Sequence, residues 1–172
     1  MTTMRSSCQI CHQGFTLVEF VVTIVLIGIL SAAVMISTKA KAQHSVTVQA
    51  DQLRRDLSHL QLIAISQGVR LQIAAPTNGG SYSVCAAVAS PCNSGAAIAD
   101  PVTREAFSVT LTDGVTFSLG GTLYFDSLGR PVQSAAGGAL LLTGESSLTL
   151  AGSSRSVSVA VLPVTGLART SY

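Results

Sequence analysis

At 172 residues the chain has room for one domain of ordinary size. It is 48% hydrophobic and only 10% charged, far below the roughly 25% charged residues of soluble domains, so a segment outside water is to be sought. The net charge is +2 and the ten Lys and Arg are scattered, which excludes a basic strip of the kind that grips nucleic acid.

The first motif in chain order is CQICH, Cys8 to His12. Cys-x-x-Cys-His is the attachment pattern for c-type haem, with two thiols for the porphyrin vinyl groups and an imidazole for the iron. A zinc reading of Cys8, Cys11 and His12 lacks a second ligand pair. The haem reading depends on the compartment these residues reach, which the next segment addresses.

From Phe20 to Thr38 the chain carries no charge (FVVTIVLIGILSAAVMIST). As a helix this stretch is about 29 Å long, close to the hydrocarbon thickness of a bilayer. A domain this small rarely buries a helix that is apolar all round, so a single membrane span is expected. Arg5 flanks it on one side and Lys39 and Lys41 on the other, so charge asymmetry does not orient it. Gly28 and Ala32 form a small-x-x-x-small pair within it.

Immediately before the span stands GFTLVE, Gly14 to Glu19. This resembles the N-terminal signal of type IV prepilins and type II secretion pseudopilins. The resemblance implies that prepilin peptidase cuts between Gly14 and Phe15 on the cytoplasmic face and then N-methylates Phe15, with S-adenosylmethionine as methyl donor. Gln13 departs from the pattern, since many such leaders carry Lys or Arg there. Residues 1–14 are then a cleaved leader, and Cys8, Cys11 and His12 never reach the compartment where haem is attached.

Glu19 lies where ionisable side chains are costly and usually functional. A buried, unpaired carboxylate loses several kcal/mol of solvation or protonates. The amine created at Phe15 is a cation one helical turn away. At about 4 Å and an effective dielectric near 20, opposite charges gain roughly 4 kcal/mol before desolvation. The resemblance implies that Glu19 pairs with the N-terminus of a neighbouring subunit in a fibre. An i,i+4 pair within one chain is the alternative.

Beyond the span, Val46, Ala50, Leu53, Leu57, Leu60 and Ala64 recur at helical spacing, with Asp51, Arg54, Arg55, Asp56 and His59 off the stripe. Gly68 is a natural C-cap. From Val69 the period becomes two, in VRLQIA, YSVCAAV, AFSVTLT, VTFSL, TLYFD, SLTLAG and RSVSVAVLP, separated by TNGG, TDG, SLGG, DSLGRP and AAGG. Connections as short as TDG predict antiparallel hairpins. The expected fold class is α+β: a long N-terminal helix, its second half packed on a mostly antiparallel head. The expected organisation is leader 1–14, transmembrane and assembly helix 15–38, amphipathic helix 39–68, and β-rich head 69–172.

FDSLGRPV, Phe125 to Val132, and the passage DLSHLQLIAISQGVRLQI resemble the GspH/FimT group of pseudopilins and minor pilins. Gly129 supplies a turn residue, Asp126 can accept backbone hydrogen bonds, and Arg130 is read as a turn-side salt bridge or a solvated side chain, ahead of a ligand-binding residue. QADQLRRDL, GGSYSVC…PCN and FSVTLTDGVTF make the head most similar to the minor pilin of the mannose-sensitive haemagglutinin (MSHA) pilus. The resemblance implies a single-pass protein of the inner membrane with its head in the periplasm, partnered by prepilin peptidase, other pilin subunits and inner-membrane lipid. In that oxidising compartment Cys85 and Cys92, the thiols left after cleavage, are expected to form a disulfide worth about 2.5 kcal/mol.

No catalytic, cofactor or metal site is expected. His44 and His59 lie too far apart for i,i+4 ligation, and no Gly-x-Ser-x-Gly or P-loop occurs. Three roles follow in order: minor subunit of an MSHA-type pilus, type II secretion pseudopilin of the H class, and DNA receptor for transformation. The third resembles a branch with a C-terminal Gly-Arg-x-Arg; here the tail is TGLARTSY, with only Arg169 and, nearby, Arg155. Duplex binding needs several cations in one strip, so nucleic acid ranks last among the partners.

Overall fold

The computed structural model describes residues 16–87, 92, 97–100, 103–134 and 140–172, with backbone alone at 32–43. Among these residues one helix, α1, runs from Leu17 to Gln67, followed by nine strands: β1 Leu71–Ala75, β2 Ser81–Ala86, β3 Ser108–Thr110, β4 Thr116–Leu119, β5 Gly121–Phe125, β6 Pro131–Val132, β7 Ser146–Ala151, β8 Ser156–Val161 and β9 Ala168–Ser171. The chain divides into two compact units, Met1–Thr38 and Lys39–Tyr172.

In the first unit, the large apolar side chains from Leu17 to Leu30 are exposed around the whole helix. Thr23 and Ser31 turn their hydroxyls back onto the carbonyls of Phe20 and Ile27, each at 2.8 Å. Their polar groups are thus satisfied within the helix, as an apolar solvent demands. No helix among the described residues is long and apolar enough to cross a membrane. The uncharged stretch 20–38 runs beyond Ser31 into residues whose side chains, Ala32 included, lie outside the described set.

In the second unit, the stripe Val46, Ala50, Leu53, Leu57, Leu60 and Ala64 is the buried face of α1. Gly68 ends the helix in the left-handed region (φ 65°), and the Val69 amide bonds the Ala64 carbonyl at 3.2 Å. That bond marks a Schellman termination, which turns the chain into β1.

All strand pairs are antiparallel, but they form two sheets, ordered β3-β2-β1-β5-β6 and β4-β7-β8-β9. Leu71, Ile73, Tyr82, Val84 and Phe125 of the first share one core with Phe117, Leu148, Leu150, Val157 and Val159 of the second, closed by the helix stripe.

The TDG segment does not make the hairpin its length suggests. β3 and β4, on either side of it, belong to different sheets. Gln49 of α1 bonds both backbone polar groups of Thr112: its Nε2 donates to the carbonyl (3.2 Å) and its Oε1 accepts from the amide (3.0 Å). The Leu111 amide is taken by the Gly80 carbonyl at 2.7 Å. The Val115 amide also bonds the Thr112 carbonyl at 3.1 Å, so TDG does make a tight turn, but the strands on either side of it pair in different sheets.

Candidate functional site

The residues expected to be processed, Gly14 and Phe15, lie outside the described residues, as do Cys8, Cys11 and His12. The description begins at Thr16, and this residue caps α1. Its carbonyl accepts the first helical bond, from the Phe20 amide at 3.1 Å. Its hydroxyl accepts a bond from the Glu19 amide at 3.2 Å, satisfying one of the orphan donors of the first turn. Thr16 and Glu19 stand in the T-x-x-E order of a capping box, a signal present within GFTLVE that was not used above. Glu19 is exposed, and it is the only ionisable side chain between Leu17 and Ser31. A carboxylate in the first turn also faces the positive end of the helix dipole. Along the same helix, a Cβ added at Gly28 would meet nothing within 4 Å, so its surface there is open.

In the second unit, FDSLGRPV forms a tightly bonded turn. Asp126 Oδ1 accepts from the amides of Leu128 (2.9 Å) and Arg130 (2.8 Å), and Oδ2 accepts from Arg130 Nε (2.9 Å) and Nη2 (2.7 Å). Burial pushes the Asp126 carboxyl up, but the bonds from the Arg130 backbone and side chain and from Leu128, with the guanidinium charge, outweigh it and hold it below its ordinary range. Arg130 is thus the turn-side salt bridge of the readings above. Gly129 adopts φ 74°, a conformation L side chains rarely take, and an added Cβ would lie 2.8 Å from Ile65 of α1.

Gln61 of α1 donates through Nε2 to the Gly129 carbonyl (2.8 Å) and to the Thr165 carbonyl (3.2 Å), so one amide holds the β5–β6 and β8–β9 turns together. Two acids of this helix also bond the head. Asp51 accepts from the hydroxyls of Thr170 and Tyr172, each at 3.3 Å. Asp56 accepts from the buried Tyr82 hydroxyl. Burial raises the Asp56 carboxyl above its ordinary value, against the lowering effect of Tyr82 and the charges of Arg55 and His59.

Cys85 and Cys92 are joined by a disulfide, Cα–Cα 5.7 Å. Cys85 lies within β2 and is fully buried, opposite Gln72 of β1, whose Nε2 points at both sulfurs (2.9 and 3.5 Å). Arg169 is engaged by Glu145, with Nη2 at 2.8 Å and Nε at 3.0 Å from Oε1, and Arg155 sits 5.9 Å from the Tyr172 ring centre. His44 is exposed, whereas His59 meets Phe107 edge to face at 6.5 Å. Among the described residues no group of three or more His, Cys, Asp or Glu converges as metal ligands.

A family model described as the prokaryotic N-terminal methylation motif matches residues 11–35. The head and helix share the fold of the minor pseudopilin EpsH from the type 2 secretion system of Vibrio cholerae, with a TM-score of 0.51 and 15% identity over 74% of this chain and 96% of that one. The type IV minor pilin FimU of Pseudomonas aeruginosa is also similar, in two crystal forms. One gives a TM-score of 0.49, 16% identity and coverage of 74% and 93%. The other gives 0.45, 16%, and coverage of 79% and 90%. No curated protein matches the chain in sequence.

Proposed function

We propose that this chain is a pilin-like structural subunit, processed by prepilin peptidase between Gly14 and Phe15, methylated at Phe15, and built into a type IV fibre through its N-terminal helix. The observation that carries this reading is a methylation motif running without a break into a capped helix whose apolar side chains are exposed on every side and whose one charge is Glu19. Such a surface is stable only in lipid or against other apolar helices, which gives the two environments of the reading: the inner membrane, with the head in the periplasm, and then the fibre. Glu19 marks the register. In an apolar bundle its carboxylate needs a cation, and cleavage creates one at Phe15. The role is structural rather than catalytic, with other pilin subunits as partners.

Within that role, the head segments QADQLRRDL, GGSYSVC…PCN and FSVTLTDGVTF favour a minor subunit of an MSHA-type pilus. The shared fold with EpsH favours a type II secretion pseudopilin of the H class as the second reading. The DNA-receptor reading falls behind both, because Glu145 already neutralises Arg169.

The test is mass spectrometry of the chain from cells with an intact fibre system. The mature form should begin at Phe15 and carry one added methyl group. Glu19→Gln should be cleaved yet fail to enter fibres; a mature form that retains Cys8 and Cys11, or wild-type incorporation of the amide, overturns the proposal.

A further inference from the structure

Gln61 of α1 bonds the Gly129 carbonyl of the β5–β6 turn and the Thr165 carbonyl of the β8–β9 turn. It thereby gathers five large apolar side chains that face water. Leu62 (64% exposed) and Ile65 (54%) belong to the helix, Leu128 (63%) precedes Gly129, and Val164 (57%) and Leu167 (58%) flank Thr165 and Gly166. Val164 is held at φ 67°, a left-handed conformation that a β-branched residue rarely takes. Glycine or asparagine would fill that turn at lower cost, so the chain bears strain here to place an isopropyl group in solvent.

Charge and size decide what covers this surface. Arg130, the cation of the β5–β6 turn, is neutralised by Asp126 at 2.7 Å. Surfaces that settle on lipid keep cations free for anionic headgroups, so an uncharged apolar protein surface fits better. Five such side chains, at roughly 100 Å² each, offer about 500 Å², against the ~800 Å² that each partner buries in a stable complex. A freely diffusing protein would be held too weakly. One already tethered alongside needs less area, because its effective concentration is high.

We propose that the surface formed by Leu62, Ile65, Leu128, Val164 and Leu167 docks on an uncharged apolar surface of the head of a neighbouring pilin-like subunit. This rests on the structural-subunit reading above and adds to it the face through which the head is gripped. The two surfaces in contact are different ones, since two copies joined by the same face form a closed pair that cannot continue a fibre.

The experiment uses the full chain in cells with an intact fibre system, and follows leader loss, Tm in detergent and the amount recovered in sheared fibres. Leu62→Glu combined with Leu128→Glu, both at exposed positions, should leave cleavage unchanged and Tm within ~2 °C, yet enter fibres about tenfold less. Val164→Asn relieves the strain and removes the apolar group; it should enter about threefold less with no loss of Tm. Leu119→Glu, at another exposed leucine, in β4, should enter as wild type. Benzoylphenylalanine at position 128 should photo-crosslink to a second processed chain with a methylated N-terminus, identified by mass spectrometry. Wild-type incorporation of the double variant overturns the inference. So does a crosslink that is absent, confined to lipid, or made to the same face of a second copy. A Leu119→Glu variant excluded as strongly as the double variant also overturns it, because any added charge on the head would then suffice. If the wild type is neither cleaved nor found in fibres, the structural-subunit reading fails and takes the inference with it.

Discussion

Alanine at Gly166 should destabilise the head through a side chain that is remote in sequence. Gly166 sits at φ 69°, and a Cβ there would lie 2.1 Å from Gln61 Nε2 and 3.2 Å from Pro131 Cδ. The left-handed conformation costs an L residue about 1–2 kcal/mol. The contact also forces the Gln61 amide away from the Gly129 and Thr165 carbonyls, whose bonds are worth about 1 kcal/mol for the shorter and roughly half that for the longer. Gly166→Ala should therefore cost about 3 kcal/mol, and Gln61→Ala about 1.5 kcal/mol. In the double variant the amide is absent, so its bonds cannot be lost twice. The total should stay near 3 kcal/mol, a coupling of about 1.5 kcal/mol. Urea unfolding of the full chain in detergent, followed by circular dichroism because the protein has no tryptophan, measures all four corners of the cycle. Costs that add to within ~0.4 kcal/mol would show that Gln61 does not fill the space beside Gly166, and the reasoning would fail.

Two carboxylates should give opposite responses to pH. Asp126 is held below its unfolded value, so its contribution is present above pH ~4 and is lost as the pH falls through its folded value. Thermal unfolding of wild type should weaken on that acid limb, and Asp126→Asn should flatten it; an unchanged limb refutes the assignment. Asp56 is raised by burial, so its contribution is full below pH ~4 and declines as the pH rises through its folded value. Asp56→Asn should remove that decline, and a decline that persists in the variant counts against it. Replacing both Cys85 and Cys92 by Ala should cost about 2.5 kcal/mol and lower Tm by roughly 10 °C. A shift of only about 1 °C would mean the bridge adds nothing to stability.

The helix was legible because its buried stripe repeats at one spacing and its end carries a glycine; both are local signals. The disulfide was legible only through the compartment that the N-terminal motif implies. Other features were hidden for physical reasons. Gln49 and Gln61 lie off the apolar stripe and read as solvent-facing, yet their amides hold turns 63 to 104 residues away. Nothing in the local pattern announces such a partner. TDG does turn the chain, but the strands it joins pair in different sheets, so a hairpin signal sound by length misled about the pairing. The tail TGLARTSY was weighed as a cation source, whereas its Ala168–Ser171 forms β9 with Arg169 ion-paired. Thr16 was missed although its signal was present, because T-x-x-E lay inside a motif read for its chemistry and not for its backbone bonds.

Among the described residues the two sheets share no strand pair, and α1 reaches into both with short polar side chains: Asp56 to Tyr82 in β2, and Asp51 to Thr170 in β9. The stretch of α1 in the second unit is therefore tied to both sheets by side-chain bonds as well as by apolar packing. Parting either sheet from α1 must therefore break a polar tie as well as the apolar contacts of the shared core.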